Sequence, residues 1–380
     1  MSTRCSVRLG LLAAALGLAG LVALRRRRRR LISLSSPPPT ALFFGPATQL
    51  LEPVRKLLST QWRLQAADDD SPLAARHATA LVGGLALANA MLREAGPQLK
   101  LLQCHFTGTD WLDKQAVPSG VVVCNATGQE VAIAEWVVGA ILRHVTRAAD
   151  EDAAMRTRCA AASAAAADLG FAPPFFSSPP RPTRKELSSC TVGIVGFGAI
   201  GAQIAARLAP FGCKLIATVG RATPPARPRH LLWLRGSSAL PALLQQSDFV
   251  VLTCPLTEKT KGLIGAAEFR LMKQDTYLVN VARGPIVDED ALYSALRNGR
   301  IAGAAIDVWY RLPAIASGQV ECAPCDLAKH PFHELHNVLL SPHTSGWSNE
   351  HMQRRIAIVS ANLDAVAQGR TPSNVVYRVE

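Results

Sequence analysis

The sequence predicts an α/β protein built from two units, each a parallel sheet with helices on its faces, the second of them doubly wound. Three observations carry this. Short apolar runs of strand length alternate with helical stretches from Thr40 onwards. One run, Thr191 to Val195, passes through a glycine-rich turn into the small-residue stretch Ala202 to Ala209. The second half holds six strand candidates with crossovers between them, as a doubly wound sheet requires.

Length and charge narrow the class. A chain of 380 residues has room for two domains with substantial cores, and 49% hydrophobic with 18% charged residues describes a globular protein. The formal charge of +13 is unevenly placed, because Arg4, Arg8 and Arg25 to Arg30 supply eight charges before the first acid, Glu52. Without them the body carries about +5 and no basic–aromatic surface motif, which argues against nucleic acid as a partner. Nine scattered cysteines, an odd number, point to a reducing compartment rather than a disulfide framework.

Residues 1–39 form an arm and linker outside the fold. Leu9 to Leu24 is apolar for 16 residues. That is short of the roughly 20 that span a bilayer comfortably. Basic flanks and the lack of acids fit an organelle-targeting presequence, for a mitochondrion or chloroplast. They also fit a signal anchor, with membrane association through residues 9–24 and the body held in the cytosol. A cleaved secretory signal is disfavoured by the arginine block directly after the apolar run. Ser35 to Pro39 reads as linker.

The folded part then runs as follows. Strands are expected at Thr40–Phe44, Ala80–Val82, Leu99–Cys104 and Val121–Cys124, with helices at Thr48–Leu58 and Ala86–Glu94. One long helix is expected from Val131 to Arg158, striped by Ile133, Trp136, Val137, Ala140, Ile141 and Val145. Ala160 to Arg184 reads as a loop or flexible connection. The second unit has strands at Thr191–Val195, Lys214–Thr218, Phe249–Thr253, Tyr277–Asn280, Ala304–Ile306 and Val338–Leu340. Helices lie between at 200–209, 239–246, 265–271 and 288–298, and a last one includes Leu363 to Arg370.

Gly196, Gly198 and Gly201 make a G-x-G-x-x-G between a strand and a helix. The first glycine allows the tight turn, the second lets a pyrophosphate approach the backbone, and the third lets helix and strand pack closely. The N–H groups at the helix start, through Ala199 and Ile200, face the anion. This is a dinucleotide-binding, Rossmann-type turn. Sites preferring NAD place an acid about 20 residues further on, against the ribose 2′-hydroxyl. Between Ala202 and Ser247 there is no acid at all. The strand end reads Thr218-Val219-Gly220-Arg221, followed by Arg227 and Arg229. A guanidinium there pairs with a 2′-phosphate, so NADP(H) is expected over NAD(H).

From about residue 75 to 370 the chain resembles the D-isomer-specific 2-hydroxyacid dehydrogenases, which include glyoxylate and hydroxypyruvate reductases. The resemblance rests on five stretches in matching order and spacing: Gly196–Gly201; Cys254-Pro255-Leu256-Thr257 with Thr260; Asn280-Val281-Ala282-Arg283-Gly284 with Val287-Asp288-Glu289; Gly303 to Val308; and Ser341 to Gly346. It implies a Rossmann domain, residues 149–346, inserted into a smaller flavodoxin-like substrate domain, 40–148 with 347–380, completed by the C-terminal helix. It also implies cofactor contacts by Cys254, Pro255, Thr260, Val281, Ala282, Asp307 and Gly346, and substrate contacts by the backbone of Gly83 and Gly84. Asn125 and Thr127 lie at a further family-like turn. The family is commonly dimeric, with the long helix in the interface, so a homodimer is expected.

Chemistry gives two residues intelligible roles. A 2-oxo acid carries a carboxylate beside a ketone, and the Arg283 guanidinium forks onto those oxygens. In reduction a proton must reach the carbonyl oxygen, and His343, an imidazole at another strand end, supplies it near neutral pH. The family's histidine is usually oriented by a glutamate, and that position here is Leu312. Three readings follow: a slower site, recruitment of Glu321 or Glu334, or a cofactor-binding regulatory or scaffolding protein without turnover. Cys322, Cys325, His330, His333 and His336 invite a zinc reading, but their spacing fits no closed four-ligand pattern, and no metal is expected. The function expected is reduction of a small 2-oxo acid, such as glyoxylate or hydroxypyruvate, with NADPH, Arg283 and His343 being catalytic.

Overall fold

The computed structural model describes residues 37–67, 72–165, 184–221, 226–311 and 328–379. The apolar run and arginine block of the arm, Leu312, Glu321, Cys322 and Cys325 lie outside the described residues. Two compact units divide the chain. The first gathers residues up to Gln103, Asp113–Cys124 and Ser360–Glu380, and the second Cys104–Leu112 and Asn125–Val359. The helix after Gln129 thus falls in the second unit, whereas residues up to 148 were assigned to the first on the sequence.

The first unit is a six-stranded sheet. Its strands are β1 (Thr40–Phe43), β2 (Arg63–Ala66), β3 (Ala80–Gly83), β4 (Leu101–Cys104), β5 (Val122–Cys124) and β13 (Val375–Arg378), in the order β13-β5-β4-β3-β1-β2. Helices α1 (Leu51–Leu57) and α2 (Leu85–Arg93) connect them. Phe43, Phe44, Leu81, Leu101 and Leu102 are fully buried, so these runs are apolar on both faces. The two edge strands went unforeseen. In β2 only Leu64 is buried, and β13 has no buried residue, so neither carries an apolar run that marks it. The sheet is therefore completed by the antiparallel strand β13 on β5, and not by a C-terminal helix alone.

The second unit has seven parallel strands, one more than the six expected. They are β6 (Thr191–Val195), β7 (Lys214–Val219), β8 (Trp233–Gly236), β9 (Phe249–Leu252), β10 (Tyr277–Asn280), β11 (Gly303–Ile306) and β12 (Val338–Leu340), in the order β12-β11-β10-β9-β6-β7-β8. β8 carries no apolar run in the sequence for the same reason as β2: it is an edge strand with one buried residue, Leu234. Strand order reverses between β6 and β9, which opens a crevice at the carboxyl end of β6.

Helices cover both faces of this sheet. On one, α3 (Glu130–Thr146) and α5 (Ala199–Leu208) pack Ile133, Val137, Ile141, Ile204 and Leu208 onto Val192, Ile194 and Val251. On the other, α6 (Leu240–Gln246), α7 (Ala266–Leu271) and α8 (Glu289–Arg297) bring Leu243, Leu244, Phe269, Leu292 and Leu296. Each such side chain contributes about 1.5–3 kcal/mol on burial. The single helix expected over 131–158 is two. Arg147 adopts φ +54, a left-handed residue that ends α3, and α4 (Ala148–Ala165) follows it as a separate helix. α4 also runs through Ala160–Ala165, where a loop was expected, because alanine is the strongest helix former. The last helix, α9 (Asn349–Ala367), is longer than foreseen.

Candidate active site

At the crevice, β6 enters the glycine turn. Gly196 has φ +96, a backbone state that side chains resist, and an added Cβ would lie 2.6 Å from the Cys254 nitrogen. Gly201 is equally confined, its Cβ position 2.7 Å from the Gly196 carbonyl oxygen. Gly198 differs: nothing lies within 4 Å of where its Cβ would be. Packing does not require a glycine there, whereas a pyrophosphate approaching the backbone closely would. Gly198 also precedes α5 with no side chain capping the helix. The first N–H groups of Ala199 and Ile200 are thus left for an anion. The residues present fit a dinucleotide pyrophosphate.

The neighbouring strand places Arg221. The Thr218 carbonyl at the end of β7 accepts hydrogen bonds from Gly196 and Phe197 N–H, both at 3.0 Å. Arg221 follows Thr218 by three residues and is exposed. Arg227 is turned away onto the Leu231 carbonyl. Pro255 and Thr260 belong to one turn, in which the Thr260 hydroxyl donates to the Pro255 carbonyl at 2.7 Å. Val281 and Ala282 are buried at the end of β10. Gly346 lies against Gln129 and Ile133, its Cβ position 3.3 Å from the Gln129 side chain.

Arg283, Asp307 and His343 follow three adjacent strands, β10, β11 and β12. Asn280 shapes the first of these strand ends. Its amide donates to the Arg283 carbonyl and its oxygen accepts from Ala282 N–H, both at 3.1 Å. Asp307 shapes the third. One carboxylate oxygen accepts from the Ser341 hydroxyl at 2.6 Å, Thr344 N–H at 2.9 Å and Ser345 N–H at 3.1 Å, and the other accepts from the Ser345 hydroxyl. Asp307 is 1% exposed. Expected at the cofactor, it has both oxygens taken up by the turn that carries His343.

That turn is strained. His343 has φ +60, a left-handed state for a non-glycine residue. Such a residue costs of order 1–3 kcal/mol and persists only when its surroundings enforce it. The Asp307 bonds, as hydrogen bonds to a charged group worth about 1.5–3 kcal/mol each, are sufficient enforcement. Trp309 adds a brace by donating from its indole to the Ser341 carbonyl at 2.9 Å.

The electrostatics of His343 are mixed. The residue keeps solvent access, but the protein around its ring desolvates it and lowers its pKa below the ordinary imidazole value. The Asp307 charge opposes that shift, the Arg283 charge adds to it, and the Asp110 charge opposes it.

Asp110 was not singled out on the sequence. It lies in the loop after β4, and its carboxylate takes the side edge of Arg283, with Nη2 at 3.0 Å and Nε at 3.3 Å. Gly108, in the same loop, allows this approach, since a Cβ there would overlap the guanidinium. Asn125, at the family-like turn, donates to the Thr107 carbonyl at 2.7 Å and so ties the same loop down. Burial works to raise the Asp110 pKa, but the hydrogen bond and charge of Arg283 outweigh it and hold the carboxyl below the usual range.

Gly83 ends β3 with its Cβ position 2.2 Å from the Phe44 ring, so packing alone requires a glycine there. Gly84 is extended, at φ −177, and precedes α2. His330 stacks on Tyr293 at 4.5 Å between centroids and its ring nitrogen meets Asp290 at 2.5 Å.

Residues 139–345 match the family model described as D-isomer specific 2-hydroxyacid dehydrogenase, NAD binding domain. A glyoxylate reductase from Thermofilum pendens is 33% identical over 299 residues, covering 76% of this chain and 78% of the relative. A glycerate dehydrogenase from Methylorubrum extorquens is 33% identical over 282 residues, covering 74% and 79%. Among solved structures, a D-isomer specific 2-hydroxyacid dehydrogenase family protein from Aeromonas salmonicida superposes with a TM-score of 0.71 at 23% identity, covering 90% of this chain and 99% of that one.

Proposed function

The chain belongs to the D-isomer specific 2-hydroxyacid dehydrogenase family, and on that premise we propose that it reduces a small 2-oxo acid, such as glyoxylate or hydroxypyruvate, to the D-2-hydroxy acid with NADPH as the preferred donor. Membership makes it an NAD(P)-dependent oxidoreductase of 2-hydroxy acids. The observation that carries the finer reading is the set of strand ends at β10–β12, which brings Arg283 and an Asp307-clamped His343 to one edge of the sheet.

The roles follow from the geometry. A guanidinium has five N–H groups. Two of Arg283's face Asp110 and one donates to the Ala282 carbonyl at 2.7 Å, so the other two are left for the substrate carboxylate and ketone. His343, protonated, delivers its proton to the ketone oxygen as negative charge develops there. The nicotinamide supplies the hydride when bound. Gly196 to Gly201 hold the pyrophosphate, and Arg221 takes the 2′-phosphate, with no acid nearby to favour the bare 2′-hydroxyl.

The test is purified full chain with NADPH or NADH and a panel of 2-oxo acids, followed at the nicotinamide absorbance band. Faster oxidation of NADPH than of NADH, with glyoxylate or hydroxypyruvate, is the expected result. Tight NADPH binding with no turnover of any acid would instead favour the regulatory reading raised by Leu312. The arm carries a separate proposal, delivery to a mitochondrion or chloroplast. Residues 1–39 fused to a fluorescent protein should direct it there, and a membrane-bound cytosolic distribution would favour the anchor.

A further inference from the structure

We infer that Asp110 is a positioning residue of this reductase, fixing the Arg283 guanidinium by its side edge and lending its negative charge to the protonated His343. This rests on the reductase reading and deepens it.

The observations converge on one loop. Asp110 contacts Arg283 through three donor–acceptor pairs, two from Nε at 3.3 Å and one from Nη2 at 3.0 Å. That is a side-on grip, and with Nη1 fastened to the Ala282 carbonyl it leaves the guanidinium little freedom to rotate. The loop is shaped for this contact. Gly108 leaves room for the guanidinium, Trp111 donates to the Gly108 carbonyl at 3.0 Å, and Asn125 anchors Thr107. Both partners are about one-third exposed, at 33% and 34%, so the pair is reachable by substrate and is not sealed in the core.

Arg283 alone beside His343 would oppose a second positive charge. Three charged groups act on His343, one after each of β11, β10 and β4: Asp307, Arg283 and Asp110. Asp307 has spent its oxygens on the turn, so its charge is fixed in place. Asp110 balances Arg283, which lets a cation that must bind an anion stand beside an imidazole that must hold a proton.

Asp110→Asn keeps an acceptor for Arg283 but removes the charge. Asp110→Glu keeps the charge on a longer arm. The full chain is assayed for 2-oxo acid reduction from well below the lowered His343 midpoint up to pH 8. For Asp110→Asn the ratio of variant to wild-type kcat/KM should fall as pH rises, reaching about three- to tenfold loss at pH 8, because the proton on His343 is released earlier. Asp110→Glu should recover most of that loss, and NADPH affinity should be unchanged in both. A loss equal at every pH, as a merely structural role gives, or no loss at all, overturns the inference. The His343 ring is also titrated by NMR in wild type and Asp110→Asn. A lower midpoint in the variant supports the inference and equal midpoints overturn it, even if the wild type turns over no 2-oxo acid. That last outcome contradicts the proposed function alone.

Discussion

The glycine turn at 196–201 and the histidine turn at 341–345 both follow strands of one sheet, yet they are built by opposite means. The first is made by leaving side chains out. Gly196 and Gly201 are excluded from bearing a Cβ by their neighbours, Gly198 leaves open space, and the helix that follows is uncapped. The second is made by putting a side chain in. Buried Asp307 bridges four donors across 341–345 and holds His343 in a state it would not choose. An open backbone turn suits an anionic ligand, whereas a strained turn that presents one side chain needs a carboxylate to fix it.

The two turns should therefore fail differently. The largest effect is expected at His343 itself. His343→Ala should lower kcat for reduction by about 10²–10⁴-fold with NADPH affinity retained, since general acid catalysis contributes on that scale. NADPH binding followed by fluorescence, alongside turnover, checks both halves. Asp307→Ala should come next. It leaves the strained turn without its clamp, so kcat should fall by one to two orders of magnitude and the Tm should drop as well. A loss confined to NADPH affinity would return Asp307 to the cofactor.

Gly196→Ala and Gly198→Ala sharpen the other side of the comparison. Gly196→Ala combines a left-handed backbone with a 2.6 Å contact on Cys254, and should cost about 1–3 kcal/mol of stability. Gly198→Ala meets nothing, so its Tm should match wild type while NADPH binds more weakly. Equal Tm losses in the two would mean that Gly198 is there for packing. The smallest effect is expected at Arg221→Asp, a change at an exposed residue that should raise KM for NADPH much more than KM for NADH. An unchanged preference would remove Arg221 from the cofactor.

Legibility in the sequence followed the same division. The glycine turn could be read because its physics is local: three glycines, a strand before and a helix after. Arg283 and His343 could be read because each lies in a compact motif at a strand end. The clamp that Asp307 makes could not be read, since the donors to its oxygens lie 34 to 38 residues further on. Asp110 was missed because its partner is 173 residues away, a pairing that only the tertiary fold creates. The edge strands β2 and β8 were missed because one buried leucine in four residues makes no pattern. The break at Arg147 was missed because helix propensity is high on both sides of it, and only the backbone shows the left-handed residue.

The pH dependence of kcat/KM for reduction, measured for wild type and His343→Ala, tests the account at its centre. Desolvation holds the His343 pKa below the ordinary imidazole value, and the proposed proton donor is intact only below that pKa. The account predicts that wild-type kcat/KM falls as pH rises through a midpoint below the ordinary value near 6.5, and that this fall is absent from the residual rate of His343→Ala. A fall that persists unchanged in His343→Ala would show that another group supplies the proton.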